Sequence, residues 1–499
     1  MEFFINLKSL KRSLWAFLMV VQCSVAAWGK EQPPHLVFIM ADDMGYGDIR
    51  AYNPHSTIPT PHLDQLASDG MRFTDAHTPS AVCTPTRYGV LTGRYCWRSR
   101  LKRGVLNGYS DHLIQKDRLT LPRFLKGHGY NTGVVGKWHL GLDWDRHSSH
   151  EDIDYTTPIR WGPNDFGFAY SYIIPASLDF PPYVYLENQR VTGVPDSRQP
   201  RKAFPAFLRE GPIGSDFVME DCLDQLANKA VEFLEKSSHS EKPFFLYMPL
   251  TSPHKPVLPH PRFKGATQLG PYGDFIVQCD NIVGRVLRAL DDLDLRQNTM
   301  VVFTSDNGSF MYRLNEPDAE DHVDDEGIQA FRADRHTSNG PLRGTKADVW
   351  EAGHRVPFLV RYPGKLEAGS VCDQTVCLTD FYATAAQLVD RTIPPNAAED
   401  SISFVPLLKS PAKDHRRPPV IHHSGSGMFA IRDGRWKLVL GSGSGGREKP
   451  KGQGFEKPYA LFDLSSDVGE KMNLIEQHPE VAELLEGQFW RIHDRGGSL

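Results

Sequence analysis

The chain has 499 residues, of which 40% are hydrophobic and 23% are charged, a composition typical of folded globular proteins rather than of disordered or fibrous ones. The formal net charge of -5 is small for this length and gives no electrostatic reason to expect a nucleic-acid partner. The length suffices for one large hydrophobic core and a smaller second domain.

The N-terminal segment has the features of an export signal. Lys8, Lys11 and Arg12 form a positively charged stretch, and an apolar run follows over residues 14–27. The run is short for a membrane span and ends in small residues that suit signal peptidase. We therefore expect a signal peptide over residues 1–27 and an exported mature chain, secreted or periplasmic. The alternatives are an uncleaved membrane anchor and a lipoprotein signal.

Short apolar runs rich in β-branched and aromatic residues predict the strands of one large sheet. These runs are residues 35–40, 132–135, 243–248, 299–304 and 356–360. Because they do not alternate with polar residues, they suit strands buried on both faces, in a mostly parallel or mixed sheet. Helical periodicity lies between them, over residues 217–236, 275–293 and 380–389. This alternation predicts an α/β fold with a large sheet sandwiched by helices, over residues 33–400.

The pattern changes near residue 400. Residues 429–440 predict a β-hairpin, and residues 459–464 predict another strand. Between them, a stretch rich in Gly, Ser and Lys over residues 441–454 predicts a flexible loop. Apolar periodicity over residues 479–493 predicts a terminal helix. These elements predict a smaller C-terminal α+β domain with an antiparallel sheet, over residues 401–499.

Polar residues follow four of the predicted strands, at the point where each strand ends. In chain order they are Asp42 and Asp43, Lys137 and His139, His254, and Asp306 and Asn307. In an open α/β sheet, ligands bind beyond the carboxyl ends of the strands. Each residue alone is explained as readily by a helix cap or a surface loop. Four strands that deliver such residues to one edge predict a functional site.

The carboxylates and the amide of this set are hard oxygen ligands, which suit Ca²⁺ or Mg²⁺ rather than zinc. Because adjacent residues of a strand point to opposite faces, Asp42 and Asp43 can share an ion only from the loop beyond the strand. Without Asp306 and Asn307, capping of the next helix would explain the two aspartates better. The set as a whole predicts an oxygen-ligated divalent cation.

Cationic residues would surround this ion, namely Arg87, Lys137, His139, His254 and Lys346. So many positive groups near a bound cation indicate a tetrahedral oxyanion as the ligand. Thr84-Pro85 is typical of a helix start, with Thr84 as the N-cap. Cys83 would then lie at the positive end of the helix dipole, where anions bind. The ordinary role of a lone cysteine is that of a small buried hydrophobe.

The cysteines do not form a disulfide framework. Six follow the predicted signal peptide, widely spaced and without a C-x-x-C pattern, at positions 83, 96, 222, 279, 372 and 377. If Cys83 has a chemical role, five remain, so at least one is unpaired. Cys372 and Cys377 are the nearest neighbours along the chain, and we expect them to form a local disulfide.

The segment over residues 81–93, AVCTPTRYGVLTG, contains Cys83 in a C-x-P-x-R pattern and resembles the signature that directs conversion of the cysteine of sulfatases to formylglycine. Residues 129–139, GYNTGVVGKWH, resemble the second signature of the same family. The similarity extends through segments at residues 41–48, 252–254, 305–308, 343–346 and 350–357. It places the chain among the formylglycine-dependent sulfatases of the alkaline-phosphatase superfamily, near the arylsulfatases, and implies an alkaline-phosphatase-like fold.

The resemblance implies a role for each matching residue. The calcium ligands would be Asp42, Asp43, Asp306, Asn307 and the modified Cys83. The formylglycine hydrate and its oxyanion would be held by Arg87 and Lys137. The sulfate would be bound by Lys137, His254 and Lys346. Ser177, in a short segment similar to one whose serine contacts sulfate in the family, would also bind it.

The mechanism that the resemblance implies has two stages. One hydroxyl of the aldehyde hydrate, activated by Ca²⁺ and Asp306, attacks sulfur while His254 protonates the leaving alcohol. His139 then takes the proton of the second hydroxyl, and sulfate leaves as the aldehyde returns. Serine or cysteine lacks that second hydroxyl and would stay blocked. The implied cofactors are Ca²⁺ and 3-oxoalanine (formylglycine) at position 83, and the implied partners are a formylglycine-generating maturation enzyme and a sulfated small molecule or glycan.

Two alternative functions remain open at the sequence level. A phosphatase or phosphonate hydrolase of the same superfamily would bind a similar oxyanion, although a paired-zinc phosphatase needs more histidine ligands. An inactive homologue that binds sulfated glycans would have lost site residues, and none is lost. Carbohydrate sulfates are the expected substrates, because an exported enzyme meets extracellular glycans. Two features outside the signatures are expected near the mouth of the site. One is an acidic insertion over residues 316–326, for which a solvated charged loop is the alternative, and the other is the segment His422-His423-Ser424.

Overall fold

The computed structural model describes residues 32–203, 205–314, 322–323, 330–332, 335–412 and 415–499. The predicted signal peptide lies outside the described residues, as does the acidic insertion apart from residues 322–323. Residues Pro34–Leu499 form one unit. Among the described helices, none has both the length and the apolar run that a bilayer crossing requires.

The strands of the described residues are β1 His35–Asp42, β2 Met71–Phe73, β3 Ala76–His77, β4 Asn131–Lys137, β5 Tyr170–Ile174, β6 Leu186–Glu187, β7 Arg190–Val191, β8 Pro195–Gln199, β9 Gly211–Gly214, β10 Phe244–Pro253, β11 Thr299–Ser305, β12 Tyr312–Leu314, β13 His322–Val323, β14 Ala330–Arg332, β15 Phe358–Arg361, β16 Ser370–Cys372, β17 Val376–Cys377, β18 Val420–His423, β19 Phe429–Asp433, β20 Trp436–Leu440 and β21 Ala460–Asp463. The α-helices are α1 Pro61–Asp69, α2 Cys83–Thr92, α3 Leu121–Gly127, α4 Cys222–Ser238, α5 Gly270–Asp292, α6 Glu351–His354, α7 Phe381–Leu388, α8 Val405–Lys409 and α9 Pro479–Asp494.

The main sheet has ten strands in the order β16-β2-β15-β11-β1-β10-β4-β5-β6-β7. Its five central strands, β11, β1, β10, β4 and β5, are parallel to one another. The strand predicted at residues 356–360 is present as β15, but it pairs antiparallel with β11. An apolar run indicates burial and not direction, so the sheet is mixed rather than mostly parallel.

Strand β1 shows why the central runs are apolar throughout. Leu36, Phe38 and Met40 pack into the core on one face of the sheet, and Val37 and Ile39 pack into the core on the other face. Helices cover both faces, α2 and α7 on the first and α4 and α5 on the second. The predicted sandwich of a large sheet between helices is confirmed.

Two of the predicted helices differ from the structure at their N-termini. Helix α4 begins at Cys222, five residues later than predicted, because Phe217 packs against Tyr185 with ring centroids 4.4 Å apart and the chain turns before the helix begins. Helix α5 begins at Gly270, five residues earlier than predicted. Pro271 lies in its first turn, where proline is favoured because no backbone N–H is needed.

The C-terminal part contains a four-stranded antiparallel sheet, β18-β19-β20-β21, and helix α9. The predicted hairpin is present as β19 and β20, with Gly434 at φ 54° in the turn between them. The predicted flexible loop over residues 441–454 is anchored instead, because the backbone N–H groups of Arg447 and Glu448 donate to Asp348. A domain boundary at residue 400 stays a prediction.

The six cysteines of the described residues are free thiols, so the predicted Cys372–Cys377 disulfide is wrong. Cys372 lies in β16 and its thiol donates to the carbonyl oxygen of Pro411 at 3.4 Å. Cys377 lies in β17, which pairs with β3 in a separate small sheet. The two residues are close along the chain, but they belong to different sheets.

Candidate active site

The polar residues predicted at the strand ends meet at one edge of the main sheet. Strand β1 ends at Asp42, β4 at Lys137, β10 just before His254, and β11 just before Asp306. Each of these side chains is buried, and His254, with 5% exposure, is the most accessible of them. The structure therefore brings together the residues that the topology of a parallel sheet predicts.

Cys83 is the first residue of α2, at the N-terminal end of the helix as predicted. The N-cap is Val82 and not Thr84, because the Thr84 hydroxyl donates to the carbonyl oxygen of His139 at 3.0 Å. The Cys83 thiol lies 3.6 Å from Asp42 Oδ1 and 3.4 Å from Lys346 Nζ. Burial, together with the nearby carboxylate of Asp306, raises the pKa of Cys83. The thiol therefore stays protonated at neutral pH.

Three ion pairs surround this thiol, and Lys346, with a side chain 15% exposed, is the only partly exposed member. Lys137 Nζ donates to both oxygens of Asp42 at 2.8 and 2.7 Å, and Lys346 Nζ donates to both oxygens of Asp43 at 2.6 and 2.8 Å. Arg87 donates twice to Asp306 Oδ2, at 3.1 Å from Nε and 2.6 Å from Nη2. Three positive and three negative groups balance, so the protein side chains carry no net charge here when the histidines are neutral.

The ion pairs keep the carboxylates ionised despite their burial. Burial alone would raise the pKa of Asp42 and of Asp43, because a charged form is disfavoured away from water. Lys137 beside Asp42 and Lys346 beside Asp43 outweigh this effect, and both pKa values lie below their ordinary value. The pocket therefore presents anionic oxygens at neutral pH.

The donor set fits a hard divalent cation. Ligand atoms of Asp42, Asp43, Cys83 and His254 lie within 4.8 Å of one another. Asn307 donates from Nδ2 to Asp43 at 2.7 Å, while its Oδ1 is buried and has no hydrogen-bond partner among the described residues. A buried amide oxygen without a donor beside clustered carboxylates suits Ca²⁺, which takes carboxylate and amide oxygens as ligands.

The backbone at Asp43 explains how two consecutive aspartates serve one pocket. Asp43 has φ 66°, in the left-handed region that non-glycine residues seldom adopt. The chain therefore leaves the extended path of β1 directly after Asp42. As a result Asp42 contacts Lys137 and Cys83, and Asp43 contacts Lys346.

The two histidines of the pocket have different hydrogen-bond partners. His139 donates from Nε2 to the carbonyl oxygen of Leu106 at 2.7 Å, which leaves its buried Nδ1 without a partner among the described residues. Burial, with Lys137 and Arg87 nearby, lowers the pKa of His139 well below its ordinary value. His254 donates from Nδ1 to the carbonyl oxygen of Lys255 at 2.5 Å, and its Nε2 lies 3.6 Å from Asp43 Oδ2. Burial and Lys346 lower the pKa of His254.

The segment around Ser177 runs beside the pocket. The backbone N–H of His139 donates to the carbonyl oxygen of Pro175 at 3.0 Å. Ser177 Oγ is buried and has no hydrogen-bond partner among the described residues. Asp179, which sequence reasoning did not single out, places Oδ1 3.9 Å from Nδ1 of His254 and forms an ion pair with Arg209. Asp179 lies two residues after Ser177 in the same short segment, whereas Arg209 has no sequence signal.

Of the segment His422-His423-Ser424, His422 does not extend to this pocket, and for this residue the expectation is wrong. Its ring stacks on that of His354 with centroids 3.8 Å apart, and its Nδ1 donates to the carbonyl oxygen of Thr78 at 3.0 Å. Nδ1 of His354 in turn lies 3.0 Å from Nδ1 of His77. These three residues form a separate buried cluster, and burial is the main cause that lowers the pKa of each.

Fold and site together define a hydrolase of the alkaline-phosphatase-like fold. Residues 34–391 match the family model described as Sulfatase. The chain is 34% identical over 496 residues to N-acetylgalactosamine-6-O-sulfatase of Bacteroides thetaiotaomicron, with 91% of this chain and 93% of that protein covered. It is 31% identical over 507 residues to Arylsulfatase A of Bos taurus, with 96% of this chain and 92% of that protein covered.

The chain superposes with a TM-score of 0.81 and 33% identity on a solved structure from Bacteroides thetaiotaomicron. That structure is described in the context of the metabolism of multiple glycosaminoglycans. The superposition covers 93% of this chain and 100% of that one. The chain belongs to the sulfatase family. It is an enzyme that hydrolyses sulfate esters, as the sequence resemblance implied.

Proposed function

We propose that this sulfatase acts on carbohydrate sulfates with Ca²⁺ and a formylglycine made from Cys83. The observation that carries the proposal is the environment of Cys83 at the N-terminus of α2, between Asp42 and Lys346. A thiol whose pKa is raised there is a poor nucleophile. Conversion to an aldehyde hydrate would supply hydroxyl groups at the same position.

Five protein groups would hold the cation, namely Asp42, Asp43, Asp306, Asn307 and the modified residue 83. Bound Ca²⁺ would supply Lewis-acid polarisation of the sulfate oxygens and would lower the pKa of a hydroxyl beside it. Arg87 and Lys137 would stabilise negative charge at residue 83. Lys346 and His254 would bind the sulfate group, with Lys137, and Ser177 would donate a hydrogen bond from its unpartnered hydroxyl.

The two histidines would divide the proton transfers between them. His139 has a neutral ring with its Nδ1 lone pair available, which suits a general base that takes a proton from residue 83. His254 has its Nδ1 bonded to the carbonyl oxygen of Lys255, and its protonated ring would give a proton from Nε2 to the leaving alcohol. In each ring one nitrogen is already bonded to a backbone carbonyl, Nε2 in His139 and Nδ1 in His254, so the other nitrogen is the one left for the transfer.

The relatives support a carbohydrate as substrate and suggest a first probe. One of them is named for N-acetylgalactosamine 6-sulfate, so this monosaccharide is the first substrate to assay, beside 4-nitrophenyl sulfate and a phosphate monoester. We also propose export through a signal peptide at residues 1–27, which N-terminal sequencing of the mature protein would test.

The decisive experiment is the mass of the peptide that contains residue 83, together with labelling by a hydrazide. Protein made beside a formylglycine-generating enzyme should carry an aldehyde there. Cys83→Ala should bind calcium and lack turnover of sulfate esters, and Cys83→Ser should be equally inactive without a serine-oxidising maturase. Cys222→Ala is the matched control, because Cys222 is also buried at the first position of a helix but lacks the C-x-P-x-R pattern. Fully active enzyme with an unmodified Cys83 would refute the proposal.

A further inference from the structure

A cavity of about 510 Å³ lies beside the candidate active site. Its walls include Arg198 of β8, Arg209 and Glu210 directly before β9, and the rings of Tyr109 and Tyr155. Sites for small molecules typically have volumes of about 300–1,000 Å³. The cavity is therefore large enough to hold a sugar residue.

The cavity and the candidate sulfate pocket share a wall. Phe180 lines the cavity, and its ring centroid is 6.0 Å from that of His139. The guanidinium of Arg209 lies 4.0 Å from the centre of the Phe180 ring and pairs with Asp179, whose other carboxylate oxygen is 3.9 Å from His254. A substrate whose sulfate lies between His139 and His254 would extend directly into the cavity.

The side chains of the lining match an uncharged ligand rich in hydroxyl groups. The guanidiniums are already paired, Arg198 with Glu210 at 3.2 Å and Arg209 with Asp179. Three lining carboxylates, those of Glu151, Asp152 and Glu210, would repel a further anionic group. A neutral pyranose offers an apolar face to the tyrosine rings and hydroxyls that both donate and accept hydrogen bonds.

A buried acceptor at the shared wall indicates the same kind of ligand. Asp179 is 1% exposed, and its Oδ1 has no hydrogen-bond partner among the described residues. A buried acceptor without a donor is unfavourable. A sugar hydroxyl next to the sulfated carbon would supply that donor.

We propose that this cavity is a carbohydrate subsite for an uncharged sugar residue joined to the sulfated one, and that Asp179 accepts a hydrogen bond from the sulfated residue itself. The proposal rests on the proposed action on carbohydrate sulfates. It narrows the substrate class to sulfated oligosaccharides in which the neighbouring residue is neutral.

Calorimetric titration of Cys83→Ala with Ca²⁺ present tests this without turnover. The probes are N-acetylgalactosamine 6-sulfate, the disaccharide that joins a galactose to it, and the disaccharide that joins a hexuronic acid to it. We expect the neutral disaccharide to bind at least tenfold more tightly than the monosaccharide. The acidic disaccharide should show a smaller increase in affinity over the monosaccharide. The ratio of kcat/KM for the same probes on wild-type enzyme is the second measurement.

Arg198→Ala in the same background should remove most of the difference between the neutral disaccharide and the monosaccharide. The matched control is Arg435→Ala, which removes an exposed arginine paired with Asp463 at 3.3 Å in the C-terminal sheet and should leave the difference intact. The subsite proposal would be overturned by equal affinity for the neutral disaccharide and the monosaccharide, by no binding of any probe, or by no effect of Arg198→Ala. Tighter binding of the acidic disaccharide than of the neutral one would overturn the proposal that the neighbouring sugar residue is uncharged. Failure of wild-type enzyme to hydrolyse any sulfated sugar counts instead against the proposed function.

Discussion

Replacement of Asp306 by Asn tests the ion pairs and the proposed cation together. Asp306 is fully buried and accepts two hydrogen bonds from Arg87 on Oδ2 and one from the backbone N–H of Asp43 on Oδ1 at 3.2 Å. An asparagine has one acceptor oxygen in place of two. If the amide nitrogen points toward Arg87, its N–H groups face the N–H groups of the guanidinium. If it points the other way, they face the backbone N–H of Asp43.

The expected loss follows from the burial of Arg87. Removing one partner of a buried ion pair costs about 3–5 kcal/mol, because the remaining charge stays away from water. The second carboxylate near Arg87, that of Asp42, is 3.7 Å away and is already engaged by Lys137. We expect Asp306→Asn to lower the free energy of unfolding by about 3 kcal/mol or more, and to weaken Ca²⁺ binding at least 100-fold, which corresponds to about 2.8 kcal/mol.

Urea unfolding in the presence of chelator measures the first effect, and calorimetric titration with Ca²⁺ measures the second. Asp400→Asn is the matched control, since Asp400 is also buried and accepts from Arg98 on both oxygens, at 2.9 and 3.0 Å. The control should lose comparable stability and keep its Ca²⁺ affinity. Ca²⁺ affinity unchanged in Asp306→Asn, or reduced equally in both variants, would refute the reasoning.

Three further outcomes are expected. Replacing His254 by Gln should slow sulfate esters of poor leaving groups more than 4-nitrophenyl sulfate, measured as a ratio of kcat values, because nitrophenolate needs little protonation; equal losses would mean that His254 only binds sulfate. Below about pH 6.5 the unfolded chain protonates His354 and His422 while the fold keeps both rings neutral, because burial lowers their pKa values well below the ordinary value. The free energy of unfolding should therefore fall by about 1.4 kcal/mol per pH unit for each of these two histidines. Urea unfolding between pH 7.5 and 5.5 measures this fall, and a flat profile would contradict the lowered pKa values. Free sulfate should increase the Ca²⁺ affinity measured by titration calorimetry, because the anion offsets the charge of the cation in the balanced pocket. An unchanged Ca²⁺ affinity would contradict this argument.

The position of the site could be predicted from the sequence because it depends on a topological rule and not on detailed packing. Apolar runs mark buried strands, and the polar residues after them fall at one edge whenever the strands are parallel. Asp42, Lys137, His254 and Asp306 obey this rule. The strand at residues 356–360 did not, since the direction of a buried strand depends on the path of the chain between strands.

The Thr84 error and the omission of Asp179 and Arg209 have a common physical cause, which is contact with partners distant along the chain. Thr84 precedes a proline at a helix start, yet its hydroxyl bonds the carbonyl of His139 rather than the helix backbone. Asp179 and Arg209 are 30 residues apart along the chain and meet only because the chain returns to the pocket before β9. No local pattern encodes such a contact, whereas the C-x-P-x-R segment is local and was readable directly.

The balanced charges of the pocket explain why a cation and an anion should be bound together. The three cationic side chains come from separate elements, with Arg87 on α2, Lys137 at the end of β4 and Lys346 in the loop before α6. A divalent cation alone would leave the buried site strongly positive, and a sulfate group alone would leave it negative, and buried uncompensated charge is costly. When both bind, the carboxylates can turn from the cationic side chains to the metal, and those side chains can turn to the sulfate. Binding of both ligands is then an exchange of ion-pair partners at nearly constant buried charge. Because coupling between two binding equilibria is reciprocal, each ligand must raise the affinity for the other.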